Sequence, residues 1–130
     1  MTDRNDIPFA GLVTLILLQG TMLAALFAGV PPHPPEATPA FGIAPFIGAA
    51  ISAAAAALCL GPARSRAGRI LAGLAAVMAL VSFGPQKYLD PQIALIWPAV
   101  LSGQIAALAI FAAILRPRAA DPHATRAHVA

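Results

Sequence analysis

The residues able to do chemistry are few and unevenly spread. The only lysine (Lys87), the only tyrosine (Tyr88) and the only tryptophan (Trp97) all fall between Phe83 and Gln104, together with Asp90 and the prolines Pro85, Pro91 and Pro98. Lys87 and Asp90 are three apart in what reads as a turn. As a surface ion pair they would contribute only about 0–1 kcal/mol. Tyr88 and Trp97 carry amphipathic rings that suit a membrane–water interface. Lys87, Tyr88, Asp90 and Trp97 therefore form a candidate outer-loop docking point or lipid-headgroup contact.

Two glutamines interrupt otherwise apolar runs. Gln19 follows ten residues after Phe9, and Gln104 follows eleven after Ile93. At about 1.5 Å per helical residue, both are expected near the middle of a membrane. No water is available there, so an amide needs a protein partner. We expect Gln19 and Gln104 to hydrogen-bond to each other across the first and fourth helices. If they instead face a shared cavity, Ser102 could complete a polar lining.

The three histidines, His33, His123 and His128, lie in a proline-rich loop and in the C-terminal tail. None sits in an apolar span, so haem or pigment ligation by an intramembrane histidine is excluded. His123 and His128 are five apart with no third ligand in view, which is short of a zinc site. The single cysteine, Cys59, forms neither an internal disulfide nor a cysteine metal cluster. It is expected to be buried as a small apolar residue near Arg64. We expect no catalytic residue, no cofactor and no metal.

The elements that must position these residues follow from composition. Of 130 residues, 59% are hydrophobic and 10% charged. Soluble domains carry about a quarter charged residues, so lipid is the fitting solvent. The expected fold is an all-α integral membrane protein, with four transmembrane helices in an antiparallel up-down bundle. Met1–Pro8 is a polar tail. The transmembrane domain covers 9–115, with spans at Phe9–Val30, Phe41–Leu60, Ala67–Gly84 and Ile93–Leu115. Arg116–Ala130 is a flexible tail. A secretory signal peptide has a shorter apolar stretch after a basic start, so Phe9–Val30 reads as a retained helix. The prolines from Pro31 to Pro39 exclude helix there. Gly61-Pro62 is a stop signal. The third span is the shortest, and a re-entrant segment is its alternative. Small residues recur every four positions at Gly48, Ser52 and Ala56, at Gly68, Ala72 and Ala76, and at Ala99, Gly103 and Ala107. They are expected to let helices of one bundle approach closely.

Seven of the eight Lys+Arg residues fall in the two tails and the Ala63–Arg69 loop, which four spans place on one side. The positive-inside rule makes that side cytoplasmic. High Ala and Arg usage suits a GC-rich bacterial gene and hence a bacterial inner (plasma) membrane. Basic residues next to spans are not a nucleic-acid footprint.

Several chemistries are excluded by the residues present. Phe9–Val30 lacks the membrane carboxylate of small multidrug transporters. One cysteine cannot serve as a disulfide-forming quinone oxidoreductase does. The spans lack the asparagines and charges of glutathione-using membrane transferases. The layout, with a proline-containing loop after the first helix and a basic loop between the second and third, is similar to that of small four-helix DoxX-type proteins. That resemblance, which no diagnostic motif accompanies, implies a redox-associated membrane protein. The residues themselves favour a small non-catalytic accessory or assembly subunit of a larger inner-membrane complex, respiratory or photosynthetic in type, or a homo-oligomer. The alternative is a self-contained carrier or channel for a small neutral or lipophilic molecule.

Overall fold

The computed structural model describes residues 3–30 and 40–117, and these are all-helical with no strand among them. Four α-helices, α1 (Asp6–Ala28), α2 (Ala40–Leu60), α3 (Arg66–Phe83) and α4 (Ile93–Ile114), are joined by one 3₁₀ turn, Pro85–Leu89, between α3 and α4. All four long segments are apolar and long enough to cross a membrane, the third when the 3₁₀ turn is included. The four helices overlap the four apolar runs of the sequence. The largest change is that α1 begins at Asp6 instead of Phe9, because Asp3 and Asn5 supply its first backbone bonds.

Each helix end has a local cause. α1 ends in a left-handed Gly29 (φ 63°), with the Val30 N–H bonded back to the Ala25 carbonyl, the arrangement that favours glycine after a helix. α2 ends at Gly61 (φ 78°), as Gly61-Pro62 predicts. Ser65 then caps α3 by accepting the Gly68 N–H at 2.8 Å, which satisfies one of the four orphan donors of a helix start.

Successive helices run antiparallel, and one end of the bundle, here the proximal end, holds the start of α1 and the end of α4. It is tied by polar bonds between distant parts of the chain. The Asn5 side-chain oxygen accepts the Ala63 N–H at 3.0 Å. Arg4 donates to the Arg116 carbonyl at 2.9 Å, and Arg69 to the Ile114 carbonyl at 2.5 Å. Arg64 pairs with Asp3 at 2.5 Å. Arg69 thereby satisfies an orphan carbonyl at the end of α4.

The interior is mostly alanine, with Leu12, Leu15 and Ile110 filling the gaps. Small residues bring the backbones close. A Cβ at Gly68 would collide with the Gly61 carbonyl, and one at Gly103 would stand 2.8 Å from the Phe83 Cβ. The small-residue rows of α3 and α4 thus serve packing within the bundle: Gly68, Ala72, Ala76, Gly103 and Ala107 are buried and Ala99 half-buried. The α2 row differs. Gly48 and Ala56 are half-buried and Ser52 is exposed. Cys59 is also exposed, contrary to its expected burial. It is two residues past buried Ala57, or about 200° around the helix, and so turns outward.

Candidate functional site

Gln86, Tyr88 and Gln104 gather where α3 stops. Gly103, the eleventh residue of α4, packs on Phe83, the last of α3, so α3 ends beside the middle of α4. Eighteen helical residues reach only about 27 Å. The remaining height is supplied by the 3₁₀ turn, which packs against α3 and α4. Pro85–Gln92 is therefore not a turn lying wholly beyond the spans. Its first half is a backbone segment folded against α4.

A helix that stops beside the middle of its neighbour leaves its last carbonyls without helical partners, which is costly away from water. Two glutamines supply them. Gln86 Nε2 donates to the Leu80 carbonyl at 3.1 Å and the Val81 carbonyl at 2.9 Å. Gln104 Nε2 donates to the Phe83 carbonyl at 3.0 Å. The Gln104 side-chain oxygen in turn accepts the Tyr88 hydroxyl at 3.1 Å. Gly84 makes this possible: a Cβ there would collide with the Leu80 carbonyl and with Gln86. Gln104 thus links α4, the end of α3 and the 3₁₀ turn.

The expected bond between Gln19 and Gln104 is not formed. Gln19 is 1% exposed, and its Nε2 has no hydrogen-bond partner among the described residues. The register explains this. Gly11 packs against Ala106 and Ile110. Eight residues further along α1 is Gln19, which therefore lies level with the neighbourhood of Val100 on antiparallel α4. Gln104 is about one turn, roughly 5 Å, nearer the proximal end. The earlier start of α1 places Gln19 deeper toward the distal end than counting from Phe9 suggested. The Phe83 carbonyl lies within reach of Gln104 and takes its amide instead.

Ser102 does not line the interior. It is exposed, two residues and about 200° around α4 from Gln104. Of the outer-loop residues, Trp97 is exposed, as an interfacial ring would be. Tyr88 is half-exposed but commits its hydroxyl to Gln104. Lys87 and Asp90 approach to 3.8 Å with side chains only 27% and 14% exposed. They pair with each other in a partly sheltered turn. Asp90 also accepts the Gln92 N–H at 2.9 Å just before α4. His33, His123 and His128 lie outside the described residues. Among the described residues, no group of three His, Cys, Asp or Glu comes together to hold a metal.

Sequence reasoning missed Gln86 and Asn5. The signal for Gln86 was present: a glutamine directly after Gly84-Pro85 is within reach of the helix it follows. Asn5 gave no comparable signal, because its partner, the Ala63 N–H, is 58 residues away.

No family model, curated protein or solved structure matches the chain.

Proposed function

We propose that this chain is a small non-catalytic integral membrane protein of a bacterial inner membrane, with both termini cytoplasmic. In this reading it serves as an accessory or assembly subunit of a larger membrane complex, respiratory or photosynthetic in type. One observation carries the reading: the polar side chains at membrane depth are mostly spent on the chain's own architecture. Gln86 and Gln104 close the end of α3, Tyr88 holds Gln104, and Arg69 closes α4. Thr14, Thr21 and Ser52 bond back to carbonyls one turn earlier in their own helices. Such side chains stabilise a compact apolar body and are not available to a substrate. The charge distribution supports the orientation, since Arg4, Arg64, Arg66, Arg69 and Arg116 all belong to the proximal end.

Purification in gentle detergent followed by mass spectrometry tests this. The expected result is stoichiometric recovery of a larger membrane complex. A C-terminal reporter should be active only in the cytoplasm. A discrete assembly of this chain alone would instead support the carrier reading. One feature favours that second reading: Gln19, a buried donor at membrane depth with no protein partner.

A further inference from the structure

Between the start of α1 and the end of α4 there is an open notch of about 80 Å³, lined by Asp3, Arg4, Ile7, Ala113 and Arg116. A water needs only about 10–15 Å³ on this measure, so the notch has room for several waters or one tetrahedral headgroup. It lies at the proximal rim, level with the last turn of α4, where the apolar span gives way to Leu115 and Arg116.

We propose that this notch holds the phosphate headgroup of an anionic phospholipid.

Its donors suit a phosphate. Arg4 spends one bond on the Arg116 carbonyl, which fixes its guanidinium at the notch. A guanidinium carries five N–H donors in a planar fork, so most remain to meet phosphate oxygens. Arg116 contributes only its carbonyl to that bond, and its side chain has no partner among the described residues.

The acid in the lining is already countered. Asp3 pairs with Arg64, which holds its carboxyl below the usual value. Asp6, nearby, accepts the Asp3 N–H at 2.7 Å. The apolar part of the lining fits a lipid better than a free ion. Ala113 is buried and Ile7 is 43% exposed. Phe9 and Leu115 are exposed too, on the same end of the helices where acyl chains would begin. Basic pockets between helices at this level are recognised sites for anionic headgroups. The distal end offers no equivalent among its described residues, since its only cation, Lys87, is paired with Asp90.

The test uses the full chain in phosphatidylcholine nanodiscs, titrated with phosphatidylglycerol at physiological salt and read by native mass spectrometry. One phosphatidylglycerol should be retained per chain. Arg116→Ala leaves the Arg4 bond to the main chain intact and should weaken retention about fivefold. The Arg4→Ala/Arg116→Ala pair should weaken it about 25-fold. Arg66→Ala, which removes an exposed arginine at the same end but outside the notch, should change it less than about twofold as a screened surface charge. Millimolar inorganic phosphate should not displace the lipid. Equal weakening by Arg66→Ala would show diffuse electrostatics only and overturn the site. Displacement by inorganic phosphate would overturn the lipid assignment. Retention unchanged in a folded Arg116→Ala variant would overturn the role of these donors.

Discussion

Gln104 and Gln19 should respond to the same substitution differently, the first with a loss of stability and the second with none. Methionine is unbranched and close to glutamine in length, so Gln→Met removes the amide with little change of shape. Gln104→Met removes two bonds, to the Phe83 carbonyl and from the Tyr88 hydroxyl. Interhelical bonds in membranes average about 0.6 kcal/mol and reach about 1.7, so the expected loss is about 1–3 kcal/mol. Gln19→Met removes an N–H group that is buried without a partner. Such a group costs about 1–3 kcal/mol, so the variant should be unchanged or more stable. The two residues share no partner, so the double variant should equal the sum within about 0.3–0.5 kcal/mol. Steric trapping in bicelles measures reversible unfolding directly. A Gln19→Met loss as large as that of Gln104→Met, or strong coupling between the two, would refute the separation of the amides derived from the helix register.

Tyr88→Phe keeps the ring and removes one bond to Gln104, so its cost should be about 0.6 kcal/mol. Combined with Gln104→Met in the same unfolding assay, it should cost less than the sum. Gly103→Ala forces a methyl to within 2.8 Å of the Phe83 Cβ and should cost about 1–3 kcal/mol. Gly48→Ala meets nothing within 4 Å and should fall within about 0.5 kcal/mol of the parent. The Asp3 carboxyl is lowered from its ordinary 3.8 chiefly by the Arg64 hydrogen bond. The Asp3–Arg64 part of the tie to the α2–α3 turn should therefore be fully present above pH 3.8 and be lost as pH falls through the lowered value, while the Asn5–Ala63 bond persists. An NMR titration of Asp3 should show Arg64→Ala returning it toward 3.8.

The helices were legible because length and apolar content decide them, and Gly61-Pro62 is a local stop signal, whereas the left-handed Gly29 that ends α1 was not read as one. The rows at Gly68 and Gly103 were legible as packing, though not which neighbour each would touch. The position of Gln104's partner was not legible. It depends on where α3 stops along α4, which is fixed by Phe83 meeting Gly103 across twenty residues of chain. Counting from the ends of two spans could not resolve one turn of register, and one turn decides whether two amides meet. The partial shelter of Lys87 and Asp90 was hidden for the same reason: a run rich in Pro, Gln and charge reads as a solvated turn unless its packing against α4 is known.

The stop in α3 also bears on how the chain enters a membrane during synthesis. When α3 first emerges, Gln86 can serve Leu80 and Val81, but the Phe83 carbonyl waits for Gln104, 21 residues later. Arg69 waits for Ile114, 45 residues later. Until α4 arrives, a lone α3 would hold a charged guanidinium and an unpaired carbonyl against lipid, both unfavourable. In a membrane, α3 would therefore gain its closing bonds only together with α4. The start of α1 carries the longest such wait, because Arg4 meets the Arg116 carbonyl only after 112 further residues.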